Sequence, residues 1–255
     1  MSHGHYGDPA ALHGFLVDLA RQHGVEKIIL PVKNADIDKL TGNGFKKEGV
    51  IPGYFNGDDS HFLAAYISKR RSFSRTLSDE RSILKEILSR PSGWQGHLPY
   101  GFTLRIADAE DCENMSRLFQ KVFSSYPSPV FDPEHLKNSL KKGNIFMVAY
   151  NGRKLASVAA AETEPECGRA ELTNCATDPE LRGMGLNTLL LISIEKMCLS
   201  RDITCLYSLA RASSYGMNLV FHRLGYEFSG TLINNCHIGG RYENMNVWVK
   251  PQNIG

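Results

Sequence analysis

The chain has 255 residues, 42% of them apolar and 22% charged, ordinary proportions for a globular protein. That excludes global disorder and allows one large domain or two small ones. Twenty-nine Lys and Arg against 27 Asp and Glu leave a net charge of +2, which gives no ground for nucleic-acid binding through bulk charge.

Six cysteines, at 112, 167, 175, 198, 205 and 236, form no CxxC pair. They are too sparse for a disulfide scaffold and are expected to be reduced thiols. The histidines include no HExxH pair, so no metal is expected. No stretch reaches the roughly 18 apolar residues of a membrane span. The first residues lack the basic and apolar regions of a secretory signal. The expected location is cytoplasmic, with no membrane or nucleic-acid partner.

Asp8-Pro9 opens a helix as N-cap and first turn. Leu12, Phe15, Leu16 and Leu19 share one face, and Gly24 follows as a stop. Lys27 to Val32 reads as a buried strand, and Ala35 to Leu40 as a helix. Val50 to Phe55 and His61 to Ile67 form a hairpin around Asn56 to Asp59. Lys69 to Arg90 holds seven basic and three acidic residues, which predicts a connecting helix with a solvated face. Pro91-Ser92-Gly93 ends it, and Gly96 to Gly101 is loop. The expected division is therefore 1–68, a linker over 69–101, and a main domain over 102–255.

From Phe102 strands and helices alternate. Phe102 to Ala107 is a strand, Asp111 to Phe123 a helix, and Pro127, Pro129 and Pro133 mark an irregular loop. Ile145 to Tyr150 and Leu155 to Glu162 pair around Asn151-Gly152. Arg169 to Thr177 is a strand, Gly185 to Leu199 a buried helix, Thr204 to Leu209 a strand and Ser214 to Leu224 a helix. Leu232 to Cys236 and Met245 to Val249 close with a hairpin. The class is mixed α/β. A shift of 181 positions lays Gly44-Phe45 on Gly225-Tyr226 and Gly49 on Gly230, in the same order of elements. The N-terminal region reads as a partial copy of the C-terminal half.

Residues 171–187, ELTNCATDPELRGMGLN, are the most informative. A strand runs through Asp178-Pro179 into Arg182-Gly183-Met184-Gly185 and then a helix. Two glycines let backbone approach a ligand, and the free N–H groups and dipole of a helix start favour an anion such as pyrophosphate.

With this motif the chain resembles the GNAT acetyltransferase superfamily, whose signature Q/R-x-x-G-x-G/A falls on Arg182, Gly183, Met184, Gly185, Leu186 and Asn187. Asn187 departs from the small residue expected there. The resemblance implies a central, mostly antiparallel mixed sheet flanked by helices. It also implies that acetyl-CoA is the co-substrate, held by this turn and by the strand at Cys175, Ala176 and Thr177. AELTNCATDPELRGMG, YSLARASSYGMN, GYEFSGTLINN, ENMNVWVK and the early FNGDD are similar to the β-lysine N-acetyltransferases. That similarity implies transfer to the ε-amine of β-lysine in a ternary complex, giving Nε-acetyl-β-lysine, a compatible solute. The product would be a neutral zwitterion that needs no counter-ion. Two rivals stand beside this reading. One is an acetyltransferase for lysine, a polyamine or another small amine. The other is a CoA-binding sensor or scaffold, which Asn187 and Phe221 favour.

Acetyl transfer to an amine requires the acceptor to lose a proton. A lysine-type ammonium of pKa about 10.4 is neutral in only about one molecule in 2,500 at pH 7. Glu171, four residues before Cys175 on the same strand, is the expected base, with substrate-amine binding or a plain surface position as the alternatives, and ELTNCAT keeps the spacing of histone-type members. The position of the family's usual acid tyrosine is Phe221, which leaves Tyr215, Tyr207 or water as proton donor. Arg211 is expected to clamp a substrate carboxylate. Tyr207, Asn234, Asn235 and Glu243 are expected at the acceptor pocket. Cys175 has no basic neighbour in sequence, and direct transfer needs no acyl-enzyme. The N-terminal half-copy has two places to dock, in cis or across a homodimer.

Overall fold

A computed structural model describes residues 8–251. The elements in chain order are α1 (Pro9–Gln22), β1 (Lys27–Val32), α2 (Ile37–Thr41), β2 (Lys46–Phe55), β3 (Asp58–Tyr66), α3 (Lys69–Ser72) and α4 (Leu77–Leu88). Then come β4 (Phe102–Ile106), α5 (Cys112–Val122), α6 (Pro133–Lys141), β5 (Ile145–Asn151), β6 (Lys154–Glu164), β7 (Arg169–Thr177), α7 (Leu186–Leu199), β8 (Cys205–Arg211), α8 (Tyr215–Arg223), β9 (Glu227–Ile238) and β10 (Arg241–Val249). They build one ten-stranded sheet in the order β1-β3-β2-β9-β10-β8-β7-β6-β5-β4. Every pairing is antiparallel except β7 with β8.

The middle of the C-terminal sheet is covered on both faces. α7 and α8 pack on one side with Leu190, Leu191, Ile194 and Phe221. α5 and α6 cover the other with Met115, Phe119 and Leu136. β5 and β6 are consequently apolar almost without alternation, as strands buried on both faces must be. Ala156, Ala159, Ala160 and Ala161 bring the helices close.

Two departures from the sequence reading have local causes. The loop expected around Pro133 contains α6, because Asp132 caps it by accepting from Glu134 N–H with Pro133 in the first turn. This is the same device that starts α1, where Asp8 accepts from Ala10 N–H. The connecting helix is two pieces, α3 and α4, parted at Phe73, whose backbone is extended. The apolar stripe of α1 is only partly covered. Leu12 and Leu16 pack on Phe45 and Leu63, whereas Phe15 and Leu19 are exposed.

β2 meets β9 through the single register pair Gly49 and Gly230. Side chains widen this seam. Lys27 Nζ donates to Glu48 Oε2 at 2.7 Å, to the Ile233 carbonyl at 2.8 Å and to Asn235 Oδ1 at 3.3 Å. Ser229 Oγ donates to the Val50 carbonyl. The order of strands reads alike from both ends of this portion, β1-β3-β2 facing β9-β10-β8.

Candidate active site

β7 and β8 pair only from Arg169 to Glu171 against Cys205 to Tyr207. Beyond that point β8 stays with β10, through Arg211 opposite Met245, and β7 follows β6. A bulge drives the divergence. Thr173 pairs with Ala160 and Ala176 with Val158, so Asn174 and Cys175 together face one residue of β6. Asn174 takes φ +51°, a left-handed conformation that asparagine tolerates better than most residues. The split leaves backbone groups of both strands unpaired along the gap, where an extended ligand can pair with them.

The gap opens into a cleft of about 760 Å³, lined by Cys175, Thr177, Arg211 and residues 181–188 among others. Its floor at one end is the glycine turn. Gly183 and Gly185 have φ of +81° and +76°, values that explain why glycine stands at both positions. Gly185 is the N-cap of α7 and gives no side-chain cap, and no acidic residue occupies the first turn. The orphan N–H groups of α7 are therefore available to an anion. Asp178 fixes the approach to the turn. It is buried, accepts from Glu180 N–H, and pairs with Lys121 at 2.8 Å and Lys154 at 2.9 Å. These partners hold its carboxyl far below the usual carboxylate range.

All six motif residues, Arg182 to Asn187, line the cleft. Asn187 carries a buried Oδ1 without a partner and lines the cleft beside Cys175. An unsatisfied buried carbonyl aimed at a cleft suits an amide N–H donor, and acetyl-CoA carries two such amides in its pantetheine arm. Cys175 and Thr177 face the same cleft, while the Ala176 side chain turns into the opposite core. Burial pushes the Cys175 thiol up to about 12, so it is a neutral thiol at physiological pH and a poor nucleophile.

Glu171 sits where the strands part, beside Tyr207 on β8 and directly opposite Glu162 on β6. Burial and the neighbouring Glu162 charge raise its pKa to about 8, and a hydrogen bond from Tyr207 opposes them. Tyr207 packs in turn against Tyr54 of β2, whose ring centroid lies 5.7 Å from its own. Arg169 lies over the Tyr54 ring at 3.9 Å and donates to its carbonyl at 3.0 Å. From the other side, Tyr126 lines the inner gap with Thr173 and Cys175, and burial keeps its hydroxyl protonated. Arg211 lines both the cleft and the inner gap. Its guanidinium stands 5.8 Å from the Phe123 ring.

Other expected site residues are engaged elsewhere. Tyr215 donates to Glu86 of α4 at 3.1 Å, away from the residues that line the cleft. Phe221 is buried and packs edge-on against Tyr226. Asn234 donates to the Arg71 and Phe73 carbonyls, tying α3 to β9. Asn235 accepts from Lys27. The buried Glu243 is held by Arg241 Nε at 2.8 Å and Ser213 Oγ at 3.1 Å. Among the described residues, side chains with metal-ligating atoms converge at Glu164, Glu166 and Cys167. That surface turn lies outside the cleft, and Arg169 already pairs with Glu164. Without having been expected, Trp94 lines the cleft and Tyr126 the inner gap, while Glu162 and Tyr54 stand next to Glu171 and Tyr207. Of these, Glu162 and Tyr54 lie on strands recognised in the sequence, whereas Trp94 and Tyr126 carried no sequence signal.

The pattern of the acetyltransferase (GNAT) family matches residues 112–226. N-acetyltransferase YodP of Bacillus subtilis (strain 168) is 37% identical over 235 residues, covering 92% of this chain and 86% of that protein. The β-lysine N(6)-acetyltransferase of Methanosarcina mazei is 31% identical over 258 residues, covering 93% and 95%. Among solved structures, a ribosomal-protein-S5-alanine acetyltransferase from Vibrio fischeri superposes with TM-score 0.53 at 14% identity, over 63% of this chain and 98% of that one. The putative acetyltransferase yncA from Salmonella typhimurium, solved with its cofactor acetyl-CoA, gives 0.52 at 14%, over 61% and 96%. The two structural matches establish the fold alone. The two sequence relatives span most of both partners, and with the split sheet and glycine turn they place this chain in the GNAT family of acetyl-CoA-dependent acyltransferases.

Proposed function

We propose that this enzyme N-acetylates a small aliphatic amine, with β-lysine as its acceptor and Nε-acetyl-β-lysine, a compatible solute, as its product. The observation that carries the amine reading is the pair of carboxylates, Glu171 and Glu162, facing each other where the strands part, with Tyr54, Tyr207 and Tyr126 around them. Negative charge and aromatic faces together suit an alkylammonium group. The β-lysine assignment rests on the Methanosarcina mazei relative of that name, whose alignment covers 93% of this chain.

Acetyl-CoA supplies an activated acetyl thioester, and the chain's own residues do the rest. Glu171 takes the proton from the acceptor ammonium. Its pKa of about 8 lies much closer to an alkylammonium near 10.4 than an ordinary carboxylate does, which reduces the uphill proton transfer. Tyr126, not Tyr215, offers the protonated hydroxyl on this face of the gap. Arg211 binds the acceptor carboxylate, and Asn187 and the α7 N-terminus hold the pantetheine and pyrophosphate. The N-terminal elements β1-α2-β2-β3 are a partial duplicate of β8-α8-β9-β10. Their share in the site is Tyr54.

Thiol release from acetyl-CoA with β-lysine, α-lysine, spermidine and no acceptor tests the assignment. A rate with β-lysine well above the others is expected, and equal rates would sink it. A polyamine acceptor is the second reading, because the two carboxylates need no substrate carboxylate. Arg211→Ala separates the two: it raises KM for β-lysine and leaves a polyamine unaffected.

A further inference from the structure

The segment between α4 and β4 was expected to be a plain linker. It is instead the outer wall of the cofactor cleft, to which Trp94, Gly96, His97 and Pro99 contribute. Two bonds fasten it to the end of α8. Gly93 N–H donates to the Arg223 carbonyl at 3.0 Å, and His222 Nε2 lies 2.8 Å from the Arg90 carbonyl. The Trp94 indole rests on the glycine turn itself. A Cβ placed on Gly185 would stand 3.0 Å from Trp94 Cζ2, and a side chain at Gly96 would run into the same ring. Gly185 therefore has a second reason to be glycine besides its φ of +76°.

Cys175 and Thr177 mark the inward side of the turn, where the sheet splits. Trp94 and Arg223 mark the outward side. Both also line an adjoining open depression with Arg90, Pro91, Gly93 and Gln95. Arg90 is neutralised by Glu86 at 2.8 Å. Arg223 is exposed and makes no ion pair among the described residues. A ligand whose pyrophosphate occupies the turn and whose thiol arm runs inward must leave its other end here. That end is an adenine ring on a phosphorylated ribose. An indole face and a free guanidinium match these two groups in chemistry.

We propose that Trp94 and Arg223 form the adenosine 3′-phosphate subsite for CoA, with Trp94 stacking on the adenine and Arg223 pairing with the 3′-phosphate. This rests on the cofactor reading of the cleft, and the test separates the two. The chain has two tryptophans, Trp94 and Trp248. Trp248 is fully buried, and its Nε1–H is held by Asn218 at 2.8 Å, so a ligand-dependent change in emission reports on Trp94.

Titration of the full chain with CoA, followed by tryptophan fluorescence and in parallel by calorimetry, should show saturable quenching with the calorimetric Kd. Trp94→Phe should abolish the quench while keeping most of the affinity. Trp94→Ala should weaken CoA binding by about ten-fold, the scale of one base stacked on an aromatic side chain. Wild type should prefer CoA to dephospho-CoA several-fold, and Arg223→Ala should erase that preference. Calorimetric binding without a fluorescence change, or a quench surviving in Trp94→Phe, overturns the Trp94 assignment and leaves the cofactor reading intact. An unchanged CoA to dephospho-CoA ratio in Arg223→Ala overturns the phosphate contact. No calorimetric binding of CoA at all would overturn both the subsite and the cofactor reading.

Discussion

Glu162→Gln tests the electrostatics of the proposed base with little disturbance of packing. Glu162 is exposed, faces Glu171 across β6 and β7, and accepts from Asn174 Nδ2 at 3.1 Å. Directly opposed residues of an antiparallel pair have Cβ atoms about 5 Å apart. Two carboxylates about 5.5 Å apart, one facing water at an effective dielectric of about 40–80, repel by about 0.8–1.5 kcal/mol. At 1.36 kcal/mol per unit this is roughly 0.6–1.1 pKa units. The base must be ionised to act, so kcat/KM rises with pH through the Glu171 pKa, near 8 in the native enzyme. Removing the Glu162 charge should move that midpoint down to roughly 7–7.5, so that the fraction of ionised base at pH 7 rises a few-fold. Burial is the larger cause of the elevation, so the midpoint should not fall to an ordinary carboxylate value. The assay is thiol release across pH 5.5–9.5 at low and high salt, the shift shrinking as salt screens the exposed charge. An unmoved or rising midpoint would refute the cross-strand coupling, whatever happens to the plateau rate.

The other predictions address the base, the turn and the seam. Glu171→Gln should lower kcat by about 10²–10⁴ while calorimetry finds CoA affinity unchanged; equal turnover would remove Glu171 from the mechanism. Gly185→Ala, strained by its φ and blocked by Trp94, should raise KM for acetyl-CoA by about ten-fold or more. Gly183→Ala faces open space and carries only the left-handed backbone cost of about 1–2 kcal/mol, so its KM should rise less. Lys27→Met leaves the buried Glu48 carboxylate without its cation. The cost should be about 3–5 kcal/mol, seen as a Tm lowered by roughly 6–20 °C, with part of the loss recovered in Lys27→Met/Glu48→Leu.

The sequence was most legible where chemistry is local. Arg169–Thr173 alternates polar and apolar residues before the bulge at Asn174 and Cys175, and the two glycines of the turn announce a backbone that only glycine adopts without strain. α6 was legible as well, since Asp132-Pro133 repeats the Asp8-Pro9 signal, but the neighbouring prolines at 127 and 129 masked it. What stayed hidden depends on register and topology. Glu162 becomes a partner of Glu171 through β6–β7 register, and Tyr54 reaches Tyr207 only because β2 is laid beside β9. Asn234 and Glu243 were misleading for the opposite reason. Polar residues on a final hairpin look available, yet each satisfies buried partners that a single strand pattern cannot display. Tyr215 is similar, since its hydroxyl belongs to α4, 129 residues earlier in the chain.

The seam between the halves explains why the proposed duplicate could be put to use. A strand such as β9 at the end of a sheet exposes a row of unpaired backbone groups. A closely related strand set in antiparallel fashion against it covers that row and brings matched positions face to face about a local two-fold, as in a symmetric interface. Gly49 and Gly230, the positions that coincide in the internal alignment, are the ones that meet. A Cβ on Gly230 would lie 2.6 Å from Gly49 Cα, so β2 and β9 can touch here only because Gly230 lacks a side chain, and one on Gly49 would crowd Val247 Cγ2 of β10 at 3.0 Å. Around that contact the two sides differ. Lys27 and Glu48 come from one side, and the Ile233 carbonyl and Asn235 that complete their bonding come from the other. On the N-terminal side β2 covers the edge of β9 and sets Tyr54 beside Tyr207, so that the surface that closes the sheet also reaches the strand that pairs with Glu171.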